Sequence, residues 1–161
     1  MTIDSIWRTE PRPGDAAAIR DIVASTGFFH DYEIDVAVEL VDERLAKGLA
    51  SGYHFLFFAD EAVPSAYACF GPIACTEGSW DLYWIAAHAS RRGQGLGKRL
   101  MAEVERRVRA EGGRAIWIET SSRAIYEPTR AFYLACGCVE AARMKDFYAT
   151  GDDKVVYVKT L

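Results

Sequence analysis

Three glycines at alternate positions, Gly93, Gly95 and Gly97, stand in the stretch Arg92-Gly93-Gln94-Gly95-Leu96-Gly97 and lead straight into an amphipathic segment. There Leu96, Leu100, Val104 and Val108 recur every four residues, with Met101 on the adjoining edge. Lys98, Arg99, Glu103, Glu105, Arg106, Arg107 and Arg109 fill the remaining faces, and Gly112-Gly113 follows. This is the period of a helix with one buried face and a glycine stop. Alternate glycines let the backbone curl with its N–H groups turned inward at the helix start. The first-turn amides have no ladder partner there, and the helix dipole is positive. The chemistry this suits is the holding of a diphosphate, with Arg92 and Lys98 as flanking cations.

The rival phosphate loops fail on spacing. A G-x-G-x-x-G fingerprint begun at Gly93 needs glycine at 98, where Lys98 stands; begun at Gly95 it needs glycine at 100, where Leu100 stands. A G-x-x-x-x-G-K-[ST] loop ending at Gly97-Lys98 needs glycine at 92 and Ser or Thr at 99, and the chain has Arg92 and Arg99. The four cysteines, Cys69, Cys75, Cys136 and Cys138, lack C-x-x-C spacing, and with three histidines they supply no metal set. Buried reduced thiols are the expectation for them.

The elements that must position the loop follow from periodicity. Leu82-Tyr83-Trp84-Ile85-Ala86-Ala87 reads as the core of a buried strand over 79–87. Residues 114–120, with Ile116, Trp117 and Ile118, form the next strand, and a strand–helix–strand crossover of this length implies parallel pairing. Upstream, residues 3–8 form a first strand stopped by Pro11 and Pro13. Asp15 caps a helix to Ser25 with Ile19, Ile22 and Val23 inward. A second helix runs from Glu33 to Lys47 on a stripe of Val36, Leu40, Val41 and Leu45, with Gly48 beyond it. Strands follow at 53–59 and 65–73. Downstream, Pro128 opens a short helix through Cys136, and residues 139–148 and 154–161 close the chain as an antiparallel pair joined by Thr150-Gly151-Asp152-Asp153.

With 161 residues, half of them hydrophobic and a quarter charged, the chain reads as a single domain over 1–161. A formal net charge of −4 gives no support for nucleic-acid binding. No apolar run approaches the length of a membrane span and Met1-Thr2-Ile3-Asp4 shows no signal-peptide pattern, so no membrane partner and a cytoplasmic location are expected.

Two blocks carry a family resemblance. Arg92 to Gly97 fits the Q/R-x-x-G-x-G/A signature of the GNAT (Gcn5-related N-acetyltransferase) superfamily. The approach Ile85-Ala86-Ala87-His88-Ala89-Ser90-Arg91 is similar to the strand and connector before that signature. Tyr126-Glu127-Pro128-Thr129-Arg130-Ala131-Phe132-Tyr133-Leu134-Ala135-Cys136-Gly137-Cys138 resembles its later helix with a Phe-Tyr pair and following glycine. The likeness covers roughly residues 50–161. It implies an α/β (α+β) fold: a mixed, mostly antiparallel central sheet with a splayed parallel strand pair, flanked by about four helices. It also implies acetyl-CoA as the cofactor and direct acetyl transfer to a primary amine of a small molecule or peptide, without an acyl-enzyme. The runner-up, of another class, is a non-catalytic acyl-CoA-binding sensor. Such domains often pair through sheets or helices, which makes a homodimer compatible with the reading.

By the same resemblance, the backbone of Arg92, Gly93, Gln94, Gly95, Leu96, Gly97 and Lys98 holds the diphosphate. Ile85 and Ala87 bond the pantetheine arm where the strand parts from its neighbour, and Thr129, Phe132 and Tyr133 border the cofactor. Tyr133 stands where the family's tyrosine protonates the departing thiolate. The family often has asparagine seven residues before this tyrosine, and here Tyr126 stands there. For the base, Asp81 matches a position where some members carry glutamate, Glu119 on the following strand competes, and water alone is the third choice. Alternation puts Asp81, Tyr83, Ile85 and Ala87 on one face. A carboxylate of ordinary pKa, about 4, needs burial or a relay to take a proton from an ammonium. Phe28, Phe29, His30 and Tyr83 offer aromatic walls to a cationic acceptor, or packing between the first two helices.

Overall fold

The computed structural model describes residues 6–161. The strands are β1 (Trp7–Arg8), β2 (His54–Phe58), β3 (Ala66–Pro72), β4 (Ser79–Ala87), β5 (Ala115–Ser121), β6 (Val139–Ala149) and β7 (Asp152–Thr160). The helices are α1 (Asp15–Ser25), α2 (Asp31–Lys47), α3 (Leu96–Ala110) and α4 (Glu127–Ala135). Hydrogen bonding orders the strands β1-β2-β3-β4-β5-β7-β6 in a mixed sheet of seven strands. β4 and β5 are parallel, as the crossover through α3 requires. Their registered pairs run from Ser79↔Ala115 to Asp81↔Trp117; among the described residues none continues the ladder to Leu82 or Tyr83.

Two compact units are distinguished: residues up to Gly71 with Trp84–Val104, and Pro72–Tyr83 with Glu105–Leu161. In the first, Ile19, Ile22 and Val23 of α1 and Ile34, Ala37 and Val41 of α2 pack with Phe55, Phe57, Tyr67 and Cys69 of β2 and β3. Phe29, Trp84 and Ala86 join that cluster from its edge. In the second, Trp80, Leu82, Ile116, Ile118, Tyr126, Tyr133, Cys138, Val155 and Tyr157 are buried. Lys159 ties this unit together: its Nζ donates to the Cys136 carbonyl at 2.6 Å and pairs with Glu105 at 3.2 Å.

Several boundaries differ from the sequence reading, each for a physical reason. Of the expected first strand only Trp7–Arg8 falls within the described residues as strand; 3–5 lie outside them. Gly14, not Asp15, is the N-cap of α1. The buried Asp15 carboxylate instead accepts from the Arg12 amide at 2.6 Å and from the Arg8 guanidinium at 2.7 and 2.8 Å. α2 starts at Asp31 rather than Glu33, because the Glu33 carboxylate reaches back to the His30 amide at 2.7 Å and closes the first turn there.

Its buried stripe is Ile34, Ala37, Val41 and Arg44, while Val36 and Leu45 are exposed. Arg44 can occupy an inward position because its guanidinium donates to the Tyr53 carbonyl at 2.8 Å and pairs with Glu10. The final turn shortens to Thr150 and Gly151, since Asp152 and Asp153 already belong to β7. Cys69 and Cys138 are buried as expected, whereas Cys75 is exposed and Cys136 only half-buried; all four are free thiols.

Candidate functional site

In the first unit the glycine loop joins β4 to α3. Gly93 and Gly95 have φ of +76° and +68°, and a Cβ at either would meet no atom within 4 Å. The backbone turn, rather than crowding, is what demands glycine. The helix ladder opens with the Arg99 amide on the Gly95 carbonyl at 3.2 Å. The amides of Leu96, Gly97 and Lys98 precede it, which is the donor set an anion needs. Leu96 is buried and pins the start of α3, while Lys98 is exposed beside it. Arg92 donates from Nη2 to the Thr26 carbonyl at 3.1 Å, tying the loop to the end of α1.

Arg91 is the fastening that sequence reasoning missed. It pairs with Asp60 at 2.8 Å, reaches Ser65 Oγ at 3.2 Å and donates from Nε to the Gln94 side chain at 2.9 Å. The guanidinium's hydrogen bond holds the Asp60 carboxyl below the usual carboxylate range. The Gln94 side-chain oxygen is thus engaged by Arg91. The connector is held as well. The Ala89 amide donates to Ser25 Oγ at 3.0 Å, and His88, half-buried, bonds Ser90 through Nδ1 at 2.8 Å and faces Asp21 at 3.3 Å.

Ile85 and Ala87 lie half-buried at the end of β4, next to that connector. Phe28 and Phe29 are half-buried and His30 exposed. Phe29 meets Trp84 edge-on at 4.8 Å and packs on the core, and His30 stacks on Tyr32 at 5.4 Å.

In the second unit, Asp81 is half-buried on β4. Burial, then the Glu119 charge, push its carboxyl above the ordinary range, against a hydrogen bond from Tyr83. Glu119 is largely exposed and pairs with Lys154 at 2.9 Å. Tyr83 is exposed on the same face of β4 as Asp81. On α4, Tyr133 is 6% exposed, with its ring 5.4 Å from Phe132 and 5.9 Å from Tyr157. Burial, with Cys138 and Cys136 behind it, pushes the phenol well above its ordinary pKa. Phe132 and Thr129 are half-buried on the same helix. Tyr126 is buried beneath the Arg123 guanidinium, 5.2 Å from its ring. α4 is anchored to the end of β5 by Arg130, which donates to the carbonyls of Ser121 and Arg123 at 2.8 and 2.9 Å.

The expected residues thus fall into two groups. The loop, Ile85, Ala87 and the Phe28–His30 aromatics belong to the first unit; Asp81, Tyr83, Glu119, Thr129, Phe132 and Tyr133 belong to the second. Lys154, paired to Glu119, is a second residue that sequence reasoning passed over. In the sequence it only closes the segment 146–154, which also holds Phe147 and Tyr148.

Comparison with known proteins gives a consistent picture. The acetyltransferase (GNAT) family profile matches residues 16–138. A crystal structure from Desulfovibrio desulfuricans, assigned to the acetyltransferases of the GNAT family, superposes with a TM-score of 0.93 at 48% identity, covering 96% of this chain and 97% of that one. An aminoglycoside 6′-N-acetyltransferase complexed with coenzyme A gives 0.75 at 18% identity, covering 96% of each chain. The ribosomal-protein-S18-alanine N-acetyltransferase of Escherichia coli gives 0.71 at 16% identity, covering 96% and 93%. No curated protein sequence matches.

Proposed function

Because the chain belongs to the acetyltransferase (GNAT) family, we propose that it is an N-acetyltransferase, carrying the acetyl group of acetyl-CoA directly to a primary amine of a small molecule or peptide. The observation that carries this reading is the rim of amides at the start of α3, turned by Gly93 and Gly95 and preceding the first helical hydrogen bond. Amides at a helix start suit a diphosphate in charge, which supports the reading. The amine-acetylating enzymes among the structural neighbours, one of them holding coenzyme A, support the same reaction class. The domain we assign to it spans residues 1–161, and we place it in the cytoplasm, where its free thiols stay reduced.

Bound acetyl-CoA supplies the thioester whose carbonyl carbon the amine attacks. In this chain the amides of Arg92 to Lys98 bind the diphosphate, with Lys98 adding charge. The backbone at Ile85 and Ala87 orients the pantetheine arm and gives the developing oxyanion a donor. Asp81 takes the amine's proton. Its raised pKa narrows the gap to an ammonium of pKa about 10. Glu119 is the weaker base candidate because Lys154 already engages it. Tyr133 donates its phenolic proton as the sulfur departs, and Thr129 and Phe132 flank the arm. Phe28, Phe29, His30 and Tyr83 contribute aromatic surface for the acceptor. Transfer is direct, without an acyl-enzyme, and Cys69 and Cys138 are poor nucleophiles because they are buried with their thiols pushed up in pKa.

The test is free-thiol release from acetyl-CoA over a panel of aminoglycosides, polyamines and peptides with free N-termini. Release above the hydrolytic blank is expected with at least one acceptor. Binding of acetyl-CoA with no release across the panel would instead favour the sensor reading.

A further inference from the structure

A row of charges crosses one face of three strands in the second unit. Asp81 on β4 is registered with Trp117 on β5, so Glu119 stands on the same face one step further along. Ser121, again on that face, is registered with Lys154 on β7. Lys154 reaches back to Glu119 with Nζ 2.9 Å from Oε2. Its side chain is only 12% exposed, and the ammonium lies 3.7 Å from the centre of the Phe147 ring and 5.9 Å from that of Tyr148.

That cover is built rather than incidental. The β6–β7 register breaks between Met144 and Ala149, and Asp146 takes φ +54° within the bulge. The bulge is then locked: the Asp146 amide donates to Asp153 at 2.9 Å, and the Gly151 amide to Asp146 at 2.8 Å. The Asp153 amide donates in turn to Ser122 Oγ at 2.7 Å. An ammonium roofed by two aromatic rings and paired to a carboxylate holds one position, and so fixes the position of Glu119.

We propose that Lys154 is a positioning residue for acetyl transfer: it pins and neutralises Glu119, so that Asp81 works beside an ion pair instead of beside a free negative charge. This rests on the assignment of Asp81 as the base. Among the described residues the titratable groups acting on Asp81 are Glu119 and Tyr83. Behind Glu119 stand Lys154 and Tyr148, whose phenol is pushed up to about 12 by burial, then by Glu119 and Asp152. Asp152 accepts a hydrogen bond from Ser121 and lies 3.4 Å from Arg123 Nε in an ion pair. Charge bookkeeping across the row gives the signs. With Lys154 paired to Glu119, the charge that Glu119 presents to Asp81 is partly offset, and what remains still raises the Asp81 carboxyl. Removing the lysine charge leaves the Glu119 charge bare and disfavours ionised Asp81 further; removing the glutamate charge lifts its effect, leaves the lysine charge and favours ionised Asp81; removing both leaves neither.

The experiment is the pH profile of kcat in wild type, K154M, K154R, E119Q, the double variant E119Q/K154M and D81N. The limb on which activity rises with pH is expected to move up by about half to one pH unit in K154M and down by a similar amount in E119Q. It returns close to wild type in the double variant and stays there in K154R, and raising the salt shrinks both displacements. A limb unmoved in K154M, or moved the same way in K154M and E119Q, overturns the proposal. Should K154M fail to fold, E119Q alone decides, because an unmoved limb there is equally fatal. D81N separates the two readings. If it keeps the wild-type limb, the limb does not belong to Asp81 and the base assignment falls. If D81N abolishes the limb while K154M leaves it in place, only the role of Lys154 falls.

Discussion

With Tyr133 as the proposed acid, Tyr133→Phe is expected to lower kcat by about a hundredfold to a thousandfold and to leave the affinity for acetyl-CoA unchanged. The substitution removes one oxygen from a ring whose packing against Phe132 and Tyr157 it preserves, so α4 keeps its place. The hydroxyl lost is the proposed proton donor to the departing sulfur. Without it the thiolate must leave with its full charge or wait for a water proton, and that cost falls on the transition state alone. Steady-state rates beside calorimetric titration check the split. Equal loss of turnover and affinity, or of neither, removes Tyr133 from its role as acid.

Gly95→Val has the complementary signature. At φ +68° a β-branched residue is held in a region that costs about 1–3 kcal/mol, and since no atom lies within 4 Å of the would-be Cβ, neighbours neither relieve nor add to that cost. Relaxation of the backbone is expected to turn the loop amides away from the proposed diphosphate position. Leu96 remains buried and keeps α3 seated, so the melting temperature falls only slightly. Affinity for acetyl-CoA weakens by about tenfold to a hundredfold, as expected when several amide donors lose alignment together. Calorimetry and thermal denaturation on the same sample separate loss of the cradle from loss of the fold; unchanged affinity would show that the loop does not hold the cofactor.

What could be read from the sequence divides along the range of the forces involved. The loop, β4 and α3 are legible because alternate glycines, an apolar run and a four-residue repeat are local signals. The parallel pairing of β4 with β5 follows from the length of the crossover alone. The face of α2 was not legible. Arg44 breaks the apolar stripe and is inward only because Glu10 and the Tyr53 carbonyl, remote in sequence, complete its shell. The start of α2 depended on a reciprocal cap by Glu33, a signal present at residues 30–33 but masked by the aromatic run around it.

The supporting contacts of the candidate site were hidden for the same reason. Arg91 reads as one more cation of a basic cluster until Asp60 and Ser65 fold beside it. Lys154 and Glu119 meet only through the β5–β7 register, and the bulge that lays Phe147 over Lys154 turns on a positive φ at Asp146. Both carboxylates named as bases were visible in the sequence. What distinguishes them, burial at Asp81 and an ion pair at Glu119, exists only in the folded sheet.

The most direct test compares calorimetric titrations of the wild-type protein with coenzyme A and with pantetheine, which carries the same thiol arm but no diphosphate. If the amides before α3 supply the grip, coenzyme A binds with measurable heat, and pantetheine binds at least about a hundredfold more weakly. Equal binding of the two, or no heat from coenzyme A, would contradict it.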